Sequence, residues 1–130
     1  MPEFSPLSKR RLAECHPDLQ KLMNEVIKHY DIVVLCGFRG KDEQDKVFRE
    51  GKSKLSFPKS KHNVTPSLAV DIAPYPLDWN DLKRFWHLAG YVKATAEKMG
   101  IKIRQGADWD GDNDFKDQKF IDLPHVEITD

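Results

Sequence analysis

Cysteine is scarce in this chain. Cys15 and Cys36 are the only two among 130 residues, too few for the disulfide framework that staples small secreted folds. They fall in segments that read as a helix and a buried strand, where a thiol serves as a small apolar side chain. No apolar run approaches the roughly 18 residues of a membrane span, and the opening Met-Pro-Glu-Phe-Ser lacks the charged and apolar regions of a signal peptide. Net charge is also missing: 21 Lys and Arg balance 21 Asp and Glu, so no bulk field draws the chain to nucleic acid or to an anionic membrane. These absences lead us to expect a cytoplasmic chain without membrane insertion or a nucleic-acid partner.

What is present is a core and a well-solvated exterior. At 39% hydrophobic and 32% charged residues, the composition excludes wholesale disorder and suits a single domain over residues 1–130. The zero charge is a cancellation, because residues 1–66 carry 13 basic and 9 acidic side chains and residues 67–130 carry 8 and 12.

Helical spacing dominates the N-terminal part. Ser8 is expected to cap a short helix ending near Glu14, and Pro17 to open a second with Leu19, Leu22, Met23, Val26 and Ile27 on one face. Residues 31–36 form a β-branched strand, 41–50 a helix closed by Gly51, and 52–61 a basic loop. Residues 68–73 alternate with period two, which leaves Asp71 alone among alanines on one face. Asp78 or Asn80 is expected to cap a long helix whose apolar stripe runs from Leu82 to Met99 and ends at Gly100. Short strands follow at 101–104 and 124–128, the latter with His125 and Glu127 on one face. The expected architecture is α+β, a small, mostly antiparallel sheet with N-terminal helices and one long central helix.

Five histidines are candidates for metal or proton chemistry. His16, His29 and His87 have ordinary structural places at helix ends or off an apolar stripe, whereas His62, Asp71 and His125 have the small polar and acidic company of a site. Two imidazoles and one carboxylate suit zinc and leave a fourth position open, as catalytic zinc requires.

Ser60-Lys-His62, Ala69-Val-Asp71 and Asp122-Leu-Pro-His125-Val-Glu127, with Gly37-Phe-Arg39, Gln44 and Gly106-Ala-Asp108-Trp109 in the same order, resemble the zinc-dependent D-alanyl-D-alanine carboxypeptidase-like family of peptidoglycan peptidases. The compact size is most similar to its phage endolysin branch, which cleaves the L-alanyl-D-glutamate bond of the stem peptide. The resemblance implies His62, Asp71 and His125 as zinc ligands, Asp122 as general base and Arg39 facing the scissile carbonyl. It implies Ser60 and Gln44 as substrate-binding residues lining the cleft. Glu127, on the face of His125, is expected to orient that ring. The stretch between His62 and Asp71 is longer than is common in the family, and Asp122 is a methylene shorter than the glutamate of many members. Peptidoglycan is then the partner of a monomer made in the host cytoplasm that reaches the wall with outside help. The alternatives are a carboxypeptidase releasing terminal D-alanine and a non-catalytic zinc-stabilised wall-binding module.

Two charged segments complete the reading. Residues 46–61 carry six basic side chains against Glu50, a basic rim suited to anionic wall peptides. Asp108, Asp110, Asp112 and Asp114 gather hard oxygen donors and raise Ca2+ as a second cation, although Asn113 and Lys119 stand where an EF-hand loop has Gly and Glu.

Overall fold

The computed structural model describes residues 2–112 and 121–129. Helix α1 spans Pro6–Ala13 and α2 Pro17–Ile27, followed by strand β1, Ile32–Cys36, and α3, Lys41–Arg49. A 3-10 turn at Lys61–Asn63 leads into β2, Ala69–Pro74. The long helix α4, Leu82–Met99, precedes β3, Ile103–Gln105, and β4, His125–Ile128. The four strands form one antiparallel sheet in the order β1-β2-β4-β3, and with the helices they make the expected α+β fold. No helix among the described residues is long and apolar enough to cross a membrane.

Two expected caps lie elsewhere. Ser5, not Ser8, caps α1, accepting the Ser8 amide at 3.1 Å. Ser8 is buried inside the helix, and its hydroxyl accepts the Val34 amide at 3.0 Å while Arg11 donates to the Val34 carbonyl. Helix α1 thereby covers the open edge of β1, where unpaired backbone groups would otherwise invite another strand. Asp81, rather than Asp78 or Asn80, caps α4, because Asp78 is used in a local turn with the Asn80 amide. Leu82 and Met99, at the ends of the expected stripe, are exposed, and Leu88 joins Phe85, Ala89, Val92 and Ala96 among the buried positions.

The sheet has two chemically distinct faces. Val70, Ile72 and Val126 pack with Leu19, Leu22, Met23 and Val26 of α2 and Leu88, Val92 and Ala96 of α4 in one core. The period-two alternation turns the intervening residues the other way, so Asp71, His125 and Glu127 share the opposite face. A register shift between Val34 and Cys36 sets Cys36 opposite Asp71, which re-aims the end of β1 toward that face as bulges do. Cys15 and Cys36 are both free, and burial pushes the Cys15 thiol up to about 12.

Candidate active site

Asp71 and His125 meet across the β2–β4 ladder as direct partners, and the 3-10 turn brings His62 to them. That turn is held by Ser60, whose hydroxyl accepts the His62 amide at 3.2 Å, and by Asn63, whose side chain accepts the Ser60 amide. His62 Nε2 lies 3.2 Å and His125 Nδ1 3.3 Å from the same oxygen, Asp71 Oδ1. All three donor atoms fall within 4.8 Å of one another.

The far nitrogens fix which atoms can bind an ion. His62 Nδ1 is 2.7 Å from the Gly37 carbonyl and His125 Nε2 is 2.8 Å from Glu127 Oε1. Both partners are acceptors, so these nitrogens carry protons and donate, and His62 Nε2 and His125 Nδ1 keep the lone pairs. Two lone pairs and a carboxylate oxygen facing one another repel unless a proton or a cation lies among them. Burial pulls both imidazoles down, but the Asp71 carboxylate outweighs it at His62, raising that ring to about 10, and Asp71 and Glu127 together raise His125. Burial pushes Asp71 up, yet the two imidazoles hold it well below the usual carboxylate range. A nitrogen, nitrogen and oxygen donor set with each ring anchored from behind fits zinc.

Charged groups surround this centre. Asp122 Oδ2 is 4.0 Å from His125 Nδ1, and burial together with the Asp71 charge pushes Asp122 up to about 6. Arg39 donates to Asp71 Oδ2 at 3.3 Å and to Gln44 Oε1 at 3.0 Å. Glu127 Oε2 is gripped by Arg104 at 3.0 Å and Lys61 at 3.4 Å, and Trp109 lies against the His125 ring with 5.1 Å between centroids. The centre forms part of a cleft of about 1200 Å³ that Arg39, Ser60, Asp122 and Trp109 also line.

The model of the phage L-alanyl-D-glutamate peptidase family matches residues 2–129. The chain belongs to that family. It is 32% identical over 135 residues to the L-alanyl-D-glutamate peptidase of Escherichia phage T5, a match covering 98% of each chain. Its fold is similar to the crystal structure of the Serratia marcescens L-Ala D-Glu endopeptidase ChiX, with a TM-score of 0.75 and 23% identity over 98% of this chain and 90% of that one.

Within this peptidase, the two residues expected to line the cleft differ in placement. Gln44, expected on the cleft wall, is fully buried. Its carbonyl accepts from Arg39 and Asn63 and its amide donates to Ser53 and the Leu55 carbonyl, so it ties α3 to a loop that lines the cleft. Ser60 does line the cleft, but 6% exposed, with its hydroxyl engaged in capping the His62 turn. The basic rim is present in part, with Lys52, Lys54, Lys59 and Lys61 along the cleft. Carboxylate oxygens of Asp108, Asp110 and Asp112 come within 4.8 Å of one another; Asp114 lies outside the described residues. The partnership of Arg104 and Lys61 with Glu127 had no signal in the sequence, since it depends on the β3–β4 register and on the 3-10 turn.

Proposed function

We propose that this family member is a zinc-dependent endolysin that hydrolyses the L-alanyl-D-glutamate bond of the peptidoglycan stem peptide. The observation that carries the reading is the convergence of His62 Nε2, Asp71 Oδ1 and His125 Nδ1 beside the Asp122 carboxylate. His62, Asp71 and His125 would hold the ion, and zinc, when bound, supplies Lewis acidity that polarises a carbonyl and activates water near neutral pH.

The chain's own residues would do the rest. Asp122 Oδ2, 4.0 Å from His125 Nδ1 at the cleft, accepts a proton from the attacking water and returns it to the leaving amine. Arg39 supplies a fixed cation to the developing oxyanion, a contribution of about 3 kcal/mol for one well-aimed donor. Its guanidinium is braced by Gln44 and Asp71, so little reorganisation is needed. Glu127 holds the His125 ring so that Nδ1 faces the ion, and Arg104 and Lys61 keep Glu127 ionised and in position. Glu127→Gln is therefore expected to weaken zinc binding by about 10- to 100-fold, measured by competition with a chelator; unchanged affinity would remove Glu127 from this role.

In this reading the chain is a monomer that is made in the host cytoplasm and meets the wall after another agent opens the membrane. The deciding experiment digests purified peptidoglycan with zinc-loaded and with chelated protein and identifies the new termini by mass spectrometry. New L-alanine carboxyl and D-glutamate amino termini with the loaded protein alone are expected. Release of D-alanine, or equal cleavage by chelated protein, would contradict the reading.

A further inference from the structure

One wall of the cleft is aromatic and open to water. Trp79 is 56% and Leu82 54% exposed, and both line the cleft with the metal-site residues. The Trp79 indole is stacked on Phe85, with centroids 5.4 Å apart and planes 14° from parallel. Phe85 is buried at 3% exposure, so one face of the indole rests on a buried ring while over half of the residue remains accessible. Leaving that much apolar surface in water is unfavourable, and such surface beside a functional cleft marks a place for a ligand.

Another wall is basic, with Lys52, Lys54 and Lys59. Topology separates the two. Cys36 lies opposite Asp71 and Ile32 opposite Pro74 in the antiparallel β1–β2 pair. The lysine-bearing segment follows β1 through α3, and the Trp79 segment follows β2, so the two leave opposite ends of the strand pair before reaching the cleft.

The substrate has the same polarity, and here the inference rests on the endopeptidase reading above. The scissile bond joins the first two residues of the stem peptide. On one side the first residue is amide-linked to a muramoyl sugar, which is uncharged at that point because its carboxyl is used in the amide. On the other side the peptide carries free carboxylates. The carboxylates complement the lysines, and the neutral pyranose, one residue from the reacting carbonyl, has C–H faces of the kind that pack on an indole.

We propose that Trp79, backed by Phe85, is the platform for the muramoyl sugar of the substrate, and that it makes the enzyme prefer sugar-linked stem peptides over free ones. A carboxypeptidase cutting at the far end of the stem would have no sugar within reach of this ring. The rigid stack matters because an indole already held in place loses little freedom when a ligand settles on it.

The test compares zinc-loaded parent enzyme, Trp79→Ala and Trp79→Phe on an N-acetylmuramoyl tripeptide and on the same tripeptide without the sugar. The parent should prefer the sugar-linked substrate. Trp79→Ala should lose about tenfold in kcat/KM on that substrate, chiefly through KM, and change less than about twofold on the free peptide. Trp79→Phe, which keeps an aromatic face, should fall between. Equal losses on both substrates, or no loss on either, would overturn the platform while leaving the endopeptidase reading standing. Cleavage of neither substrate by the parent enzyme would overturn the endopeptidase reading, and the platform with it.

Discussion

Asp122→Ala is expected to retain one zinc per chain and to hydrolyse peptidoglycan about 10³-fold more slowly than the parent, within the range general acid–base groups contribute. The ring nitrogens and carboxylate oxygen that converge in the site come from His62, Asp71 and His125, so the ion does not depend on Asp122. The Asp122 carboxylate is partly exposed at the cleft, 4.0 Å from the nearest of those atoms, and its removal leaves no other carboxylate in that position among the described residues. His125→Ala is the contrasting variant and should lose both the metal and the activity. Metal content by elemental analysis and turnover on purified wall material separate the two. An Asp122→Ala protein that still hydrolysed at the parent rate would remove Asp122 as the base.

Gly106→Ala is expected to cost about 100-fold in kcat/KM and about 1–3 kcal/mol of stability. A Cβ built at Gly106 would collide with the Asp122 carbonyl oxygen and lie 2.8 Å from its carbonyl carbon. Those are backbone atoms, so the strand end and the segment bearing Asp122 must separate. The same glycine donates its amide to the His125 carbonyl and accepts the Asp122 amide, each at 3.0 Å. Any separation is transmitted directly to a proposed base and a proposed ligand. Thermal unfolding and steady-state kinetics on the variant measure both effects. Unchanged turnover would mean that the Asp122 segment tolerates displacement, which the proposed proton transfer does not allow.

The legible parts of the site were those where a short-range rule has a visible pattern. Asp71 stands out because period-two alternation isolates it among alanines, and the structure turns it away from the core formed by Val70 and Ile72. His125 and Glu127 share a face by the same rule and form a 2.8 Å hydrogen bond. What stayed hidden depends on where separate segments meet. Ser8 has the right chemistry for a cap, but the arrival of β1 gives its hydroxyl the Val34 amide instead. Gln44 is polar and near motif residues, yet the loop at Ser53 and Leu55 closes over it and converts a wall residue into a buried tie. Arg39 is singled out by the family resemblance, but its pairing with Asp71 across 32 positions follows from the fold alone. The caps of α4 illustrate the same limit, since Asp78, Asn80 and Asp81 are chemically eligible and the turn geometry selects Asp81.

The strand order β1-β2-β4-β3 has a consequence for how the molecule is made. The strand carrying His125 is inserted between β2 and β3, so the sheet closes only when a late segment of the chain pairs with one nearly sixty positions earlier. Such distant pairing is slow to form, since the loop-closure entropy is lost before the contacts are gained. The N-terminal helices and β1 can assemble from local contacts, but the ligand set cannot exist until β4 docks. Metal uptake at the proposed site would therefore be a readout of completed folding, and because an ion bound there would favour the closed sheet over every open form, it would act as the latch on the last step rather than as a seed for the first.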